Sequence, residues 1–223
     1  MPLRRLLFAA ALPALLTACD ASPAVRSMPP SPAIPSISPS PAPTSSMAAG
    51  WAITVYYTVV EDYHGGAPTR VAGCPRLDCT RGHADLGTYP AEFVALVKTE
   101  GTGVTSDGRY LNWSYDTGFW LDTAPRGTDG NPLEPYVSAA ADPDVLAHGT
   151  RFTVSDCGQQ DDGSQPPPAV CAVFRRASWR IDDEFTPGLG GPRHIDVYVG
   201  RETGPGYTDS NAYVSLTNAT LRF

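Results

Sequence analysis

The chain has 223 residues, with 16 basic and 23 acidic side chains and a formal net charge of −7. Nucleic acids and anionic membrane surfaces bind proteins through clustered lysine and arginine, so this balance argues against both as partners. All four tryptophans and all ten tyrosines lie in residues 51–223. That segment is long enough to close one hydrophobic core.

The N-terminus has the pattern of an export signal. Two arginines precede an apolar run, residues 6–16, which suits a signal-peptide core but is too short to span a bilayer as a helix. Residues 16–19 read Leu-Thr-Ala-Cys and resemble the lipobox of bacterial lipoprotein precursors. The resemblance implies removal of residues 1–18, acylation of Cys19 and an extracytoplasmic protein held to the membrane by that lipid. The alternative is an ordinary secretory signal in which the cysteine is incidental.

A linker is predicted next. Residues 21–50 are mostly Pro, Ser and Ala, hold eight of the 23 prolines and contain no aromatic residue. Such a segment cannot bury enough apolar surface to offset the entropy lost on ordering. We therefore expect a signal peptide over 1–18, a lipidated cysteine and disordered linker over 19–50, and one folded domain over 51–223.

The pattern of residues 51–223 predicts short strands. Period-two or β-branched runs occupy 53–60, 137–141, 151–155, 170–174, 178–183, 195–199 and 212–217. Only residues 90–99 have helical spacing, with Pro90 at the start and Gly101 just beyond the end. Short strands with one small helix favour a β-barrel or sandwich over an α/β layer.

Four cysteines follow Cys19, namely Cys74, Cys79, Cys157 and Cys171. In an exported chain an even number predicts disulfides, and Cys74–Cys79 with Cys157–Cys171 is the connectivity closest in sequence among three possibilities. A zinc site is the competing interpretation, but the chain has no Cys-x-x-Cys. We expect no metal and no cofactor.

Two aspartates interrupt or end apolar runs. Asp142 follows the run 137–141, and Asp196 lies inside the run 195–199. A lone aspartate in such a place costs free energy if it is buried unpaired. It is therefore at a strand end, hydrogen-bonded, or kept for function.

A third candidate, Asp183, ends the run 178–183. Period-two alternation predicts that it shares a strand face with Trp179 and Ile181, and that Asp182 faces the opposite way.

Several short motifs occur in an order that resembles the three-aspartate (3D) domain of cell-wall proteins. They are residues 55–58, 97–103, 107–110, 141–143 (Ala-Asp-Pro), 148–150 (His-Gly-Thr), Asp183 and 193–198. This family's double-psi β-barrel is shared with the MltA-type lytic transglycosylases. The resemblance covers roughly residues 53–200 and implies a mainly β fold, a six-stranded double-psi β-barrel with extra strands and loops and one short helix.

The resemblance also implies a reaction. MltA-type enzymes cleave the β-1,4 bond between N-acetylmuramic acid and N-acetylglucosamine in peptidoglycan glycan strands without water, leaving a 1,6-anhydro ring. One carboxyl group suffices, because it first donates a proton and then acts as base toward the sugar's own C6 hydroxyl. By position Asp196 would be that acid/base, and Asp183 and Asp142 would raise its pKa or order the site. His194 is expected on the same strand face as Asp196, either against the sugar or as an exposed rim residue.

Two departures from the family pattern leave a second function open. Residues 183–188 read Asp-Glu-Phe-Thr-Pro-Gly where the family has Asp-Thr-Gly, and residues 158–168 are an insertion. The alternative is a non-catalytic module that binds glycan or a protein of the cell envelope. An open groove with Asp196 and Asp183 in mutual reach favours catalysis, and a groove filled by Phe185 or by the insertion favours binding. A metal-dependent hydrolase is disfavoured because the histidines lack His-x-x-x-His spacing.

Overall fold

The structure is a computed structural model and describes residues 46–223. The predicted signal peptide, Cys19 and nearly all of the predicted linker lie outside the described residues. Within 46–223, neither helix combines the length and apolarity needed to cross a bilayer.

Residues 46–223 form twelve strands and two α-helices. In chain order they are β1 Met47–Val60, β2 Pro68–Gly73, β3 Ala84–Pro90, α1 Ala91–Glu100, β4 Thr102–Val104, β5 Tyr110–Ser114, β6 Gly118–Asp122, β7 Ser138–Ala140, β8 Arg151–Asp156, β9 Gln159–Gln160, α2 Pro168–Arg176, β10 Trp179–Asp183, β11 His194–Arg201 and β12 Leu216–Arg222. Short 3₁₀ turns lie at Glu61–Tyr63 and Tyr207–Asp209.

Six strands close into a barrel in the order β1, β11, β7, β10, β8, β12 and back to β1. The pairs β1/β11 and β7/β10 are parallel, whereas β11/β7, β10/β8, β8/β12 and β12/β1 are antiparallel. This confirms the predicted mainly β, six-stranded double-psi barrel. Because the barrel is closed, each of these six strands is hydrogen-bonded to a neighbouring strand on both sides.

Alternation along β1 separates the core from the outer surface. Ile53, Val55 and Tyr57 point into the barrel and are almost fully buried. Thr54 and Tyr56, between them, face outward. The same alternation in β11 buries Ile195, Val197 and Val199, so the neighbouring β1 and β11 present a continuous outer face.

The predicted helix is confirmed as α1. Pro90 lies at its N-cap, and Gly101 closes its C-terminus with a left-handed φ of 82° while its N–H donates to the Val97 carbonyl at 2.9 Å. Beyond α1, strands β4, β5 and β6 extend the sheet from the C-terminal part of β1.

The expected strand over 170–174 is wrong, because these residues lie in α2. The domain thus has a second helix in addition to the predicted one. Val170, Val173 and Phe174 fit helical i, i+3, i+4 spacing as well as they fit a strand, and Pro168 suits the first turn of a helix. Packing decides between the two, since Phe174 is buried edge-on against Trp179 with ring centroids 5.8 Å apart.

Two boundaries also differ from expectation. Strand β1 begins at Met47, inside the predicted linker, because Met47 and Ala48 pair with the last residues of β12. The run 212–217 is mostly turn, and β12 begins only at Leu216.

Both disulfides closest in sequence are formed in the structure. The Cys74–Cys79 disulfide closes a small loop between β2 and β3. The backbone of Cys74 also forms an isolated β-bridge with Trp120 in β6. Cys157–Cys171 joins the end of β8 to α2.

Candidate active site

A cleft of about 360 Å³ opens on the outer face of the barrel where β1, β11, β7 and β10 lie side by side. Its floor includes Thr54, Tyr56, Ala140, Asp183, His194 and Asp196. Its walls are the end of α1, the β5–β6 turn and the loop that follows β10. The cleft is open, since the insertion 158–168 does not line it. Phe185 lies in a wall, against His194, with the two rings tilted by 32° and their centroids 4.6 Å apart.

Two of the three predicted aspartates meet on this floor. Asp196 pairs with Ala140 across β11 and β7, and Asp183 pairs with the same Ala140 across β10 and β7. The two backbones are therefore two strand spacings apart, roughly 9–10 Å. Because the residue between them is an alanine, no bulky side chain separates the carboxyl groups.

A β-bulge at Asp182 brings Asp183 to the cleft. Ile181 pairs with Ala139, which faces the barrel interior, but Asp183 pairs with Ala140, which faces outward. The prediction that Asp183 shares a face with Trp179 and Ile181 is therefore wrong. A bulge interrupts period-two alternation and re-aims the next side chain.

Asp182 also lies on the outer side, but it does not reach the cleft. It is 2% exposed, accepts a hydrogen bond from Ser138 Oγ at 2.8 Å and pairs with the Arg180 guanidinium. It is consequently a buried anchor of the bulge.

Asp183 is held as an acceptor. Its Oδ1 receives the backbone N–H groups of Thr128 at 2.8 Å and Glu184 at 2.9 Å. A side chain at Gly127 would come within 2.6 Å of the Asp182 carbonyl, so glycine is needed for the chain to approach this closely. Burial raises the pKa of Asp183 to about 6, although the two N–H donors oppose the shift.

Asp196 is the better proton holder of the pair. Burial raises its pKa to about 7, with the nearby Thr54 hydroxyl acting against this shift and the negative charge of Asp183 adding to it. Its Oδ1 is buried without a hydrogen-bond partner among the described residues. The residue as a whole is partly exposed and lines the cleft floor.

Tyr56 contributes a neutral hydroxyl beside both carboxyl groups. Burial, followed by the charges of Asp183 and Asp196, raises its pKa well above the ordinary value. The hydroxyl reaches neither carboxyl group at hydrogen-bond geometry. It remains a protonated donor next to the two acids at neutral pH.

Glu100 is a functional candidate that the sequence analysis passed over. It ends α1, lines the cleft and is 8% exposed. Burial raises its pKa to about 8, and the charge of Asp196 adds to the shift, whereas the Tyr57 backbone N–H opposes it. A carboxylate in the last turn of a helix interacts unfavourably with the helix dipole. The position of Glu100 at the end of the predicted helix was therefore the sequence signal that could have identified it.

Asp142 is not brought to the cleft. Its Oδ2 accepts the backbone N–H of Gly191 at 2.7 Å, and its carbonyl accepts the N–H groups of Val145 and Leu146. It thereby holds the end of the loop 184–191, whose earlier residues Thr186 and Leu189 form a cleft wall.

His194 lies on the cleft floor, as the alternation from Asp196 predicts. Its Nε2 is 2.9 Å from Thr54 Oγ1. Within residues 46–223 there is no cluster of three or more His, Cys, Asp or Glu side chains that could hold a metal ion.

Three solved structures that this chain resembles are lytic transglycosylases. MltA of Escherichia coli with bound chitohexaose has a TM-score of 0.49 at 12% identity, covering 78% of this chain and 71% of that one. A membrane-bound lytic murein transglycosylase of Agrobacterium tumefaciens has a TM-score of 0.46 at 12% identity, covering 77% and 73%. LtgG of Burkholderia pseudomallei has a TM-score of 0.41 at 13% identity, covering 78% and 72%.

No family model matches the sequence, and no curated protein matches it. At such identities and TM-scores these likenesses assign no role to any residue. A function for this chain therefore has to be argued from its own cleft.

Proposed function

We propose that the domain is a three-aspartate-type barrel that cleaves peptidoglycan glycan strands as a lytic transglycosylase, with Asp196 as its acid/base. The observation that carries this proposal is the pair of carboxyl groups on the floor of an open cleft, of which Asp196 has the pKa nearer 7 and Asp183 is held as an acceptor. Different environments for two acids are the usual basis for dividing acid and anion roles between them.

The reaction needs no water. The protonated Asp196 donates its proton to the glycosidic oxygen as the bond from that oxygen to C1 of the muramyl sugar breaks. The Asp196 carboxylate then takes the proton of the same sugar's C6 hydroxyl while the C6 oxygen bonds to C1. The proton on Asp196 is restored, and the products are a 1,6-anhydro end and a free 4-hydroxyl.

Asp183 supports this cycle as an anion. Its charge raises the pKa of Asp196 and is placed to stabilise the positive charge that develops at C1. Asp142 has a positioning part only, through the loop it holds. In this proposal Asp196 is the acid/base, Asp183 is its electrostatic partner and Asp142 anchors the loop.

The cellular setting is a separate proposal that rests on residues outside the described part. The lipobox-like sequence before Cys19 supports removal of residues 1–18, acylation of Cys19 and membrane attachment outside the cytoplasm. The Pro-rich segment after Cys19 would act as the spacer between that anchor and the barrel.

The direct test is to incubate the purified full chain with peptidoglycan and analyse the soluble products by mass spectrometry. Lytic transglycosylation predicts 1,6-anhydromuropeptides. Reducing-end products in place of anhydro products would indicate hydrolysis. Binding of glycan strands without cleavage would indicate the non-catalytic module.

A further inference from the structure

A second pocket, of about 420 Å³, adjoins the cleft and has a different charge. It shares Trp113, Tyr115 and Thr186 with the cleft walls. Its remaining lining residues are Arg81, Lys98 and Gly118. The pocket thus carries two cations and no acid, in a chain whose net charge is −7.

Both cations rest on aromatic rings and have their charges free for a ligand. Lys98 Nζ lies 5.7 Å from the ring centroid of Trp113, and the Arg81 guanidinium carbon lies 5.8 Å from that of Tyr115. Within residues 46–223 neither cation forms an ion pair with an acidic side chain. Cation–π contact orients such a side chain while leaving N–H groups available to an anion.

The backbone around Arg81 is fixed in an uncommon conformation. Arg81 has a φ of 49°, in the left-handed region that residues with a Cβ seldom adopt. Its N–H donates to the Thr117 carbonyl at 2.7 Å, and its Nη2 donates to the Tyr115 carbonyl at 3.1 Å. The Cys74–Cys79 disulfide closes the loop just before it. Such conformations persist where the surroundings impose them, often at ligand sites.

We propose that the pocket formed by Arg81 and Lys98 binds the carboxylate carried by a muramyl residue while the neighbouring sugars lie in the cleft. This deepens the proposed function and rests on it for the identity of the polymer. A muramyl residue differs from N-acetylglucosamine by a lactyl ether whose carboxylate is either free or joined to a peptide stem that has carboxylates of its own. Arg81 and Lys98 offer charge-assisted hydrogen bonds to such groups, and Trp113 offers an apolar face at the junction with the cleft.

The test is a comparison of affinities in the full chain carrying Asp196→Asn, so that no glycan is consumed. Three hexasaccharides serve as probes: neutral chitohexaose, a muramyl glycan with free lactyl carboxylates, and the same glycan with peptide stems. We expect the Arg81/Lys98 pocket to favour at least one muramyl glycan over chitohexaose by roughly fivefold to tenfold at low salt, with the preference shrinking as salt is added.

The double change Arg81→Gln with Lys98→Gln should abolish this preference and leave the dissociation constant for chitohexaose within about twofold. Arg175→Gln with Arg176→Gln is the matched control, because it removes the same charge from the exposed end of α2, away from the cleft. The control should retain the preference. Preference for the stem-free glycan identifies the lactyl carboxylate as the ligand, and preference only for the stem-bearing glycan identifies a stem carboxylate.

Three results would each overturn the inference. The first is equal affinity of the protein for neutral and muramyl glycans. The others are an equal loss of affinity for both glycans in the Arg81/Lys98 double variant, and a loss of the preference in the control that equals the loss in that variant. Catalysis is scored separately, by anhydro product from the unsubstituted chain. If the preference for muramyl glycans is retained but no anhydro product forms, this inference is supported and the proposed transglycosylase activity is refuted.

Discussion

Asp183 and Asp196 approach Ala140 from opposite sides, each through a different neighbouring strand. The parallel β10/β7 and antiparallel β7/β11 pairings thus bring together two acids that are 13 positions apart in the chain. Their coupling follows from this register, since the charge of Asp183 contributes to the raised pKa of Asp196. The register also explains why Asp142, beyond the end of β7, takes no part in the pair.

The acid/base assignment predicts a large effect of Asp196→Asn. This substitution removes the transferable proton while keeping size and shape, so anhydro product should fall at least about 100-fold with the fold intact. Asp183→Asn should cause a smaller loss, because it removes charge and not the proton. Mass spectrometry of digests and circular dichroism measure the two quantities. Asp161→Asn, an exposed change outside the cleft, serves as control, and wild-type activity in Asp196→Asn would refute the mechanism.

The pH dependence of the reaction should be bell-shaped. The active form has Asp183 ionised and Asp196 protonated, with pKa values of about 6 and about 7, so activity should rise as Asp183 ionises and fall as Asp196 loses its proton. The two limbs belong to the coupled pair as a whole. In Asp183→Asn the like charge is gone, and the alkaline limb should move to lower pH. An unchanged alkaline limb would show that the two acids are not coupled.

Buried acids should make the fold less stable as pH rises. Glu100 has a pKa of about 8 in the folded protein against an ordinary value of 4.5, so above pH 4.5 the unfolded chain releases a proton that the folded chain retains. The free energy of unfolding should therefore decrease from about pH 5 to pH 8. Glu100→Gln should flatten this decrease, with a larger gain in melting temperature at pH 8 than at pH 5. Parallel melting curves for the two proteins at all pH values would contradict the prediction.

Asp182→Asn should act mainly on stability. Asp182 pairs with Arg180 and Ser138 beneath the bulge, and asparagine keeps the shape but loses the charge opposite the partly exposed Arg180. We expect a loss on the order of 1–2 kcal/mol in the free energy of unfolding, measured by urea titration. Activity per folded molecule should fall less in Asp182→Asn than in Asp183→Asn. A larger fall in Asp182→Asn would show that Asp182 takes part in the reaction.

Anchoring is tested at Cys19, outside the described residues. Cys19→Ala removes the only acylation site in the lipobox-like segment, so the protein should leave the membrane fraction for the soluble exported fraction, or remain unprocessed. Immunoblots of fractionated cells distinguish these results. Processed Cys19→Ala protein that stays in the membrane would contradict the lipoprotein proposal.

Local pattern determined much of this domain. The alternation from Ile195 to Val199 correctly placed Asp196 opposite the core, because Ile195 and Val197 on either side of it are fully buried. Pro90 and Gly101 marked the ends of α1, since proline starts and glycine stops a helix for reasons internal to the chain. The short spacing of Cys74–Cys79 and Cys157–Cys171 matched the pairs that form.

Tertiary structure alone decided the rest. Residues 170–174 suit either a strand or a helix, and contact between Phe174 and Trp179 selects the helix. The bulge at Asp182, which turns Asp183 outward, appears only when β10 pairs with β7. The raised pKa of Glu100 likewise depends on burial beside residues remote in sequence. Sequence determines which side chains a strand carries, but register and burial arise from pairing distant segments, and these set where a carboxyl group points and whether it keeps its proton.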